Sequence, residues 1–250
     1  MAVRGSDQAD LFVIGGYDIL GTLTQLTDKI EAMTEEVTVL GSSWAEHGYT
    51  GLRHWTMSQN GFYNDAALSA HAALSTGPGA GPRVLVYGVE GNVSGEAFIG
   101  VQGAVQVNYE TIITRGEFHK ANAEYQANGV VEEGRIIRPL SGAVATGNTT
   151  NGAIDFTASS TGGGAAYFVI TSLPAATATG LQLDLMHSPD NLTFTSYVGA
   201  SPVTSSAPNS SWAQRVNSTA PVQRYVGARW TAGTGFPSTA TFFVGFSTQR

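Results

Sequence analysis

Along residues 101–110 the side chains alternate. Val101, Val105, Val107 and Tyr109 fall on one side, and Gln102, Gln106, Asn108 and Glu110 on the other. A period of two with one apolar face is the pattern of a half-buried strand in an antiparallel sheet. Residues 121–128 repeat it, with Ala123 and Tyr125 opposed to Asn122, Glu124, Gln126 and Asn128. Residues 53–59 do so as well, with Trp55 and Met57 on one side. A helix would space its apolar residues three and four apart. These segments therefore commit the first half of the chain to sheet. Short apolar runs at residues 11–14 and 84–87, each beside glycine- or proline-rich breakers, add further strands.

One segment departs from this pattern. Residues 65–76 are rich in alanine and leucine, with Ala67, Leu68, His71 and Leu74 spaced for one helical face. Asn64 or Asp65 can cap its start, and Gly77-Pro78 ends it. The second half carries strand signals at residues 165–171, 180–187, 193–198, 213–217, 223–231 and 241–246, separated by turn residues. Leu181, Leu183 and Leu185 share a face opposite Gln182 and Asp184. Short strands at this spacing predict a sandwich, jelly-roll or immunoglobulin-like. The fold class expected is mainly β, with strands and one helix in the first half and a β-sandwich in the second.

Charge divides the chain near the same place. The first 140 residues hold 16 acidic and 8 basic side chains, and the remainder 3 and 4. Residues 141–164 are small, polar and rich in Gly and Thr, which suits a linker and an edge strand. Two domains are expected, 1–142 and 143–250. Cysteine is absent, which excludes disulfides, thiolate metal sites and a cysteine nucleophile. No stretch approaches the ~20 apolar residues of a membrane helix. The polar first ten residues do not read as a secretory signal. The Asn-x-Ser/Thr triplets at Asn148 and Asn191 are accordingly read as chance.

Chemical motifs are sparse. Glu132 and Glu133 are adjacent, and neighbours on a strand point to opposite faces, so they cannot flank a substrate. They read as a solvated turn before Gly134. His47, His54, His71, His119 and His187 form no HExxH pair, and Glu117 with His119 lacks a third metal ligand. The run Gly77 to Pro82 is glycine-rich but has no Gly-Lys-Ser/Thr, and its prolines remove amide donors. No GxSxG elbow occurs. Lysine appears only at Lys29 and Lys120, which opposes nucleic-acid binding, since gripping DNA takes clustered cations. Neither catalysis nor a metal or cofactor is expected.

Several strings in order resemble the major tail (tail tube) proteins of siphoviruses, the long-tailed bacteriophages. They are Leu40-Gly41-Ser42-Ser43-Trp44-Ala45-Glu46 with Thr50-Gly51-Leu52, then Asn60-Gly61-Phe62-Tyr63-Asn64-Asp65 running into the alanine-rich helix. Val86-Tyr87-Gly88-Val89-Glu90-Gly91-Asn92 and Arg115-Gly116-Glu117-Phe118-His119-Lys120-Ala121-Asn122 follow. The likeness covers over half the chain and rests on order rather than on a chemical signature. A weaker one, through Ser188-Pro189-Asp190-Asn191-Leu192-Thr193-Phe194, is to the outward β domains that some tail proteins carry.

The resemblance implies that the first half is a tail-tube β barrel or sandwich flanked by one helix, and that the chain is a virion tail subunit assembled in the host cytoplasm. Six copies would join their sheets into a ring, and rings would stack into a tube that passes the genome without binding it. Partners implied are the chain itself, a tape measure protein, and tail-terminator and distal tail proteins, with no membrane. Gln102, Gln106, Asn108, Glu110, Asn122, Glu124 and Gln126 are amides and carboxylates suited to a lumen wall that does not hold phosphate. The long stretch from Thr27 to Tyr49, with Lys29, Glu31, Met33, Glu35, Glu36, Trp44 and His47, is expected as a loop reaching the neighbouring ring. The rival reading is a carbohydrate-binding or host-surface adhesion sandwich, with Tyr197, Trp212, Tyr225 and Trp230 as a sugar-stacking platform.

Overall fold

The computed structural model describes residues 10–36, 47–66, 69–144, 147–150, 152–174, 176–205, 210–233 and 239–248. The first half contributes strands β1 (Phe12–Ile14), β2 (Tyr17–Asp18), β3 (Leu23–Glu36) and β4 (His47–Phe62). After these come helix α1 (Ala70–Leu74) and strands β5 (Arg83–Gly88), β6 (Ala97–Ile112), β7 (Lys120–Ala127) and β8 (Val131–Val144). The second half adds β9 (Gly147–Thr150), β10 (Ile154–Asp155), β11 (Gly164–Leu173), β12 (Ala176–Ser188) and β13 (Thr195–Gly199). It ends with β14 (Val203–Ser205), β15 (Ser210–Ser218), β16 (Tyr225–Ala232) and β17 (Thr239–Thr248). The chain is mainly β, as its alternation predicts.

Eleven strands form one antiparallel sheet in the order β15-β11-β17-β8-β6-β5-β1-β2, and β6 also carries a branch through β7 and β4 to β3. The smaller sheet runs β10-β16-β12-β13, with β9 beside β16 and β14 beside β12. The large sheet curls until its ends meet. Gly16, in the turn after β1, lies so close to β15 and β11 that a Cβ there would sit 2.5 Å from the Trp212 amide nitrogen. Its φ of +89° also favours glycine.

Three cores follow from this curl. Inside it, Leu11, Val13, Val86, Phe98, Ile136, Tyr167, Val169 and Phe243 pack together. Outside it, Phe168 and Ile170 of β11 and Phe242, Val244 and Phe246 of β17 meet Leu181, Leu183, Leu185, Val226 and Trp230 of the small sheet. This is the sandwich expected of the second half. Strand β11 is buried on both faces, which explains its unbroken run Ala165 to Ile170 in place of alternation. Burial of a side chain such as Phe168 contributes about 1.5–3 kcal/mol. The third core gathers Phe12, Ile14, Trp55, Met57, Leu85, Val101, Ala123 and Tyr125 beneath α1, which buries Ala70, Ala73 and Leu74.

The helix has five residues, shorter than the twelve its composition suggests. Asn64 does act at its start, but through an Asx turn: its Oδ1 accepts from the Ala66 amide at 3.0 Å, and its carbonyl accepts from Ser69 Oγ at 2.7 Å. That local bonding competes with a longer helix. Ala67 and Leu68 lie outside the described residues. The boundary expected at 142/143 falls within β8, which pairs with β6 at its start and with β17 along the rest, so the large sheet runs across it.

Glu132 and Glu133 do not form a solvated turn. Both lie on β8, and Glu132 is buried. Arg215 of β15 grips it with two bonds, Nε to Oε2 at 2.8 Å and Nη2 to Oε1 at 2.7 Å, and the Tyr167 hydroxyl donates to Oε2 at 2.5 Å. Burial first, then the carboxylate, pushes the Tyr167 phenol well above its ordinary range, so it stays a donor. Arg138 is also buried, with its Nη1 donating to the Phe242 and Ser141 carbonyls and its guanidinium 3.7 Å from the Phe242 ring centroid. Burial lowers it to about 10, which leaves it charged at neutral pH.

Removing one partner of a buried ion pair strands the other charge. Arg215→Ala should therefore lower unfolding stability by about 3–5 kcal/mol in urea titration. The double variant Glu132→Leu/Arg215→Met should lose clearly less.

Candidate functional site

The side of the branch that faces away from the helix is polar and open. Strands β3, β4, β7 and β6 lie side by side, and directly opposed residues share a face. Lys29 stands opposite Thr56, Thr56 opposite Gln126, and Gln126 opposite Val105. The next row is Thr27, Ser58, Glu124 and Asn108; the next is Gln25, Asn60, Asn122 and Glu110. Asn60 Nδ2 donates to Gln25 Oε1 at 3.3 Å across one such row. The opposite face holds Trp55, Met57, Ala123 and Tyr125, all buried. The alternation visible in residues 53–59 and 121–128 is thus a real division between core and open surface.

Five of the seven residues expected on one polar face are brought together: Asn108, Glu110, Asn122, Glu124 and Gln126. Gln106 is a correction. It pairs across from Tyr125 on the core side and is 2% exposed. The cause is a β-bulge. Between the pairs Gln106 with Tyr125 and Asn108 with Glu124, Val107 is an extra residue, which reverses the phase of the strand. Gln106 then serves the helix end. Its Nε2 donates to the Leu74 carbonyl at 2.9 Å, and its Oε1 accepts from Arg83 Nη2 at 2.6 Å. Arg83 Nη1 donates to the Ala73 carbonyl at 2.7 Å. Two carbonyls at the end of α1 are satisfied in this way.

Gln102 sits in a second irregularity, where β6 has one more residue than β5 between Val101 and Ala104. It is exposed beside Gly129, away from the rows of the polar face. Sequence reasoning missed Thr56, Ser58, Asn60, Gln25 and Thr27 as members of this face. The alternation around Trp55 and Met57 was the signal that could have found Thr56 and Ser58.

The stretch from Thr27 to Tyr49 is not a loop among its described residues. It forms a β-ladder. Strand β4 pairs with β7 only from Thr56 to Phe62, but before Thr56 it still pairs with β3, Trp55 with Ile30, Arg53 with Ala32, Tyr49 with Thr34 and His47 with Glu36. The result is a two-stranded arm projecting from the sheet. Lys29, Glu31, Met33, Glu35 and Glu36 are all exposed on it, with Lys29 Nζ 2.6 Å from Glu31 Oε1. The Tyr87 hydroxyl donates to Asp28 Oδ2 at 2.6 Å and ties the arm's base to β5. His47 opens β4, and Trp44 lies outside the described residues.

The four aromatic residues considered for sugar binding do not share an exposed platform. Trp230 is 7% exposed, in the core between the sheets, with its ring 5.4 Å from that of Phe242. Tyr197 and Trp212 are partly buried against the same core, and the Tyr197 hydroxyl donates to the Ala220 carbonyl at 2.9 Å. Tyr225 lies under the Arg224 guanidinium. His71 is half-buried, with Nδ1 2.8 Å from the Tyr109 hydroxyl. Among the described residues no group of three or more His, Asp or Glu is placed to hold a metal ion. Nor, among them, is any helix long and apolar enough to cross a membrane.

No protein-family model matches the chain, and no curated protein matches it in sequence. Among solved structures, a chain from the tail of an empty gene transfer agent particle, refined with C6 helical symmetry, matches 52% of this chain and 97% of its own length, at 15% identity and a TM-score of 0.39. A chain of the native gene transfer agent virion matches over the same shares at 14% identity and a TM-score of 0.39. The SPP1 Dit protein, a hub of the adsorption apparatus of phages infecting Gram-positive hosts, matches 96% of this chain and 100% of its own, at 10% identity and a TM-score of 0.33. Likenesses of this size carry no functional conclusion for this chain.

The bulge makes a sharp prediction. Gln106→Lys puts an unpaired cation behind α1 and should cost about 3 kcal/mol or more in denaturant unfolding. Glu124→Lys, on the open face, should stay within about 0.5 kcal/mol of the parent. Equal effects at the two positions would contradict the phase reversal.

Proposed function

We propose that this chain is a structural subunit of a bacteriophage tail tube. Copies join into rings, hexameric by the family resemblance, and the rings stack around a channel for DNA. The observation that carries this reading is the open polar face. Its three rows expose amides, hydroxyls and the carboxylates of Glu110 and Glu124; Lys29 is engaged by Glu31, and Lys120, in the next row between Phe62 and Ile112, lies 3.7 Å from Glu117. Duplex DNA is held by cations that displace its counterions. A wall of this composition offers phosphate nothing to hold and repels it mildly.

The edge of the same sheet supports self-association. Strand β3 has fourteen residues and pairs with β4 alone among the described strands. A long open edge invites another strand, a hazard for a monomer and a means of joining copies in an assembly. A head-to-tail contact of that kind closes into a ring where its rotation allows. The role is architectural rather than catalytic. The two buried carboxylates among the described residues, Glu132 and Asp184, are already paired with Arg215 and Arg229. In the assembled tail the chain would meet its own copies, a tape measure protein within the channel, and tail-terminator and distal tail proteins at the ends.

Negative-stain electron microscopy of the purified chain over a concentration series tests this. Rings or stacked tubes with a stain-filled channel are the expected result. Particles of monomer size at every concentration would contradict it.

A further inference from the structure

Three Asn-Gly pairs occur in the sequence: Asn60-Gly61, Asn128-Gly129 and Asn151-Gly152. In such a pair no Cβ hinders the glycine's amide nitrogen, which can attack the side-chain amide before it. The fold decides whether it does, because the reacting atoms must come within about 3–3.5 Å. Asn151 lies outside the described residues. Asn60-Gly61 is locked inside β4 with a ladder on each side. Asn60 stands between Gln25 and Asn122, and Gly61 between Leu23 and Ala121. Asn60 Nδ2 donates to Gln25 Oε1 at 3.3 Å, and its carbonyl accepts from Thr24 Oγ1 at 3.0 Å. A Cβ on Gly61 would sit 2.6 Å from the Thr22 carbonyl oxygen, so close packing accounts for that glycine.

Asn128-Gly129 is different. It forms the turn from β7 to β8, and Asn128, Gly129 and Val130 are all exposed. Two hydrogen bonds hold the ends of the turn to β6. The Asn128 amide donates to the Gly103 carbonyl at 2.6 Å, and the Gln102 amide donates to the Val130 carbonyl at 3.1 Å. The Gly129 amide, between them, takes part in neither. A Cβ on Gly129 would meet nothing closer than Gln102 Oε1 at 3.5 Å; its φ of +133° is what favours glycine here. The peptide that joins Asn128 to Gly129 can therefore turn between two fixed ends without breaking a ladder.

We infer that Asn128 is a site of spontaneous covalent modification, deamidating through a cyclic imide. The Gly129 nitrogen attacks Asn128 Cγ and forms the ring bond. The Cγ–Nδ2 bond breaks, and Nδ2 leaves as ammonia with the proton that the Gly129 nitrogen gives up. Water then opens the ring. Attack at Cγ yields aspartate, and attack at the main-chain carbonyl yields isoaspartate. One water enters, one ammonia leaves, and nothing is oxidised or reduced. Either product places a new carboxylate two residues beyond Gln126 of the open polar face and adds one negative charge to the chain's −7. Isoaspartate also lengthens the main chain by one carbon, in a turn and not in a ladder.

Peptide mapping of the whole purified chain by mass spectrometry tests this. Samples are held in mildly alkaline buffer, folded or unfolded in urea, and Asn60 and Asn128 are followed with time. In urea the two should convert at similar rates. In the folded chain Asn128 should convert at least tenfold faster than Asn60, faster still as the pH is raised, and give both aspartate and isoaspartate. An Asn128 protected by folding as well as Asn60 is would overturn the assignment. Aspartate without isoaspartate would overturn the route through the imide.

Discussion

Strand β6 changes partners along its length, and the rest of the molecule depends on that change. Over residues 97–101 it lies between β5 and β8 as part of the curled sheet. From Ala104 onward it pairs with β7 and so carries the branch that ends in β3 and the arm. One unbroken ladder could not do both. The extra residues near Gln102 and at Val107 bend the strand and reset which side chains face the helix. The same side of β6 that packs Phe98 inside the curl presents Asn108 and Glu110 to solvent further along. A single strand thereby joins the interior of one unit to the open surface of another.

The two halves are fastened by charge as well as by packing. Glu132 comes from the first half and Arg215 from the second, and both are almost fully buried. Such a pair is weak evidence of net stabilisation, since desolvation opposes the attraction. It ties β8 to β15, two strands that are not neighbours in the sheet. The open face follows the opposite rule. Its carboxylates remain in water, cost nothing to bury, and set the sign of the surface that an assembly would present to its cargo.

How much of this was legible depended on what the residues had to decide alone. The strands around Trp55, Tyr125 and Leu183 were plain because each has one wet and one dry face. Strand β11 was found by its apolar run, although its burial on both sides could not be inferred before the sheet was known to curl. Gln106 was misplaced because a bulge adds one residue without marking it in composition. Glu132 looked solvated beside Glu133 because its partner lies 83 positions away. The arm was taken for a loop since its exposed strands, with Glu31, Glu35 and Glu36 beside Ile30 and Met33, lack the one-sided pattern that burial imposes.

The central claim is that the face bearing Asn108, Glu110, Asn122, Glu124 and Gln126 looks inward on a channel formed by copies of this chain. A cryo-electron microscopy map of the assembled protein measures this directly. The account predicts a ring in which those side chains line the lumen and the second-half sandwich lies outside. An assembly with that face turned outward, or sealed between neighbouring copies, would contradict it.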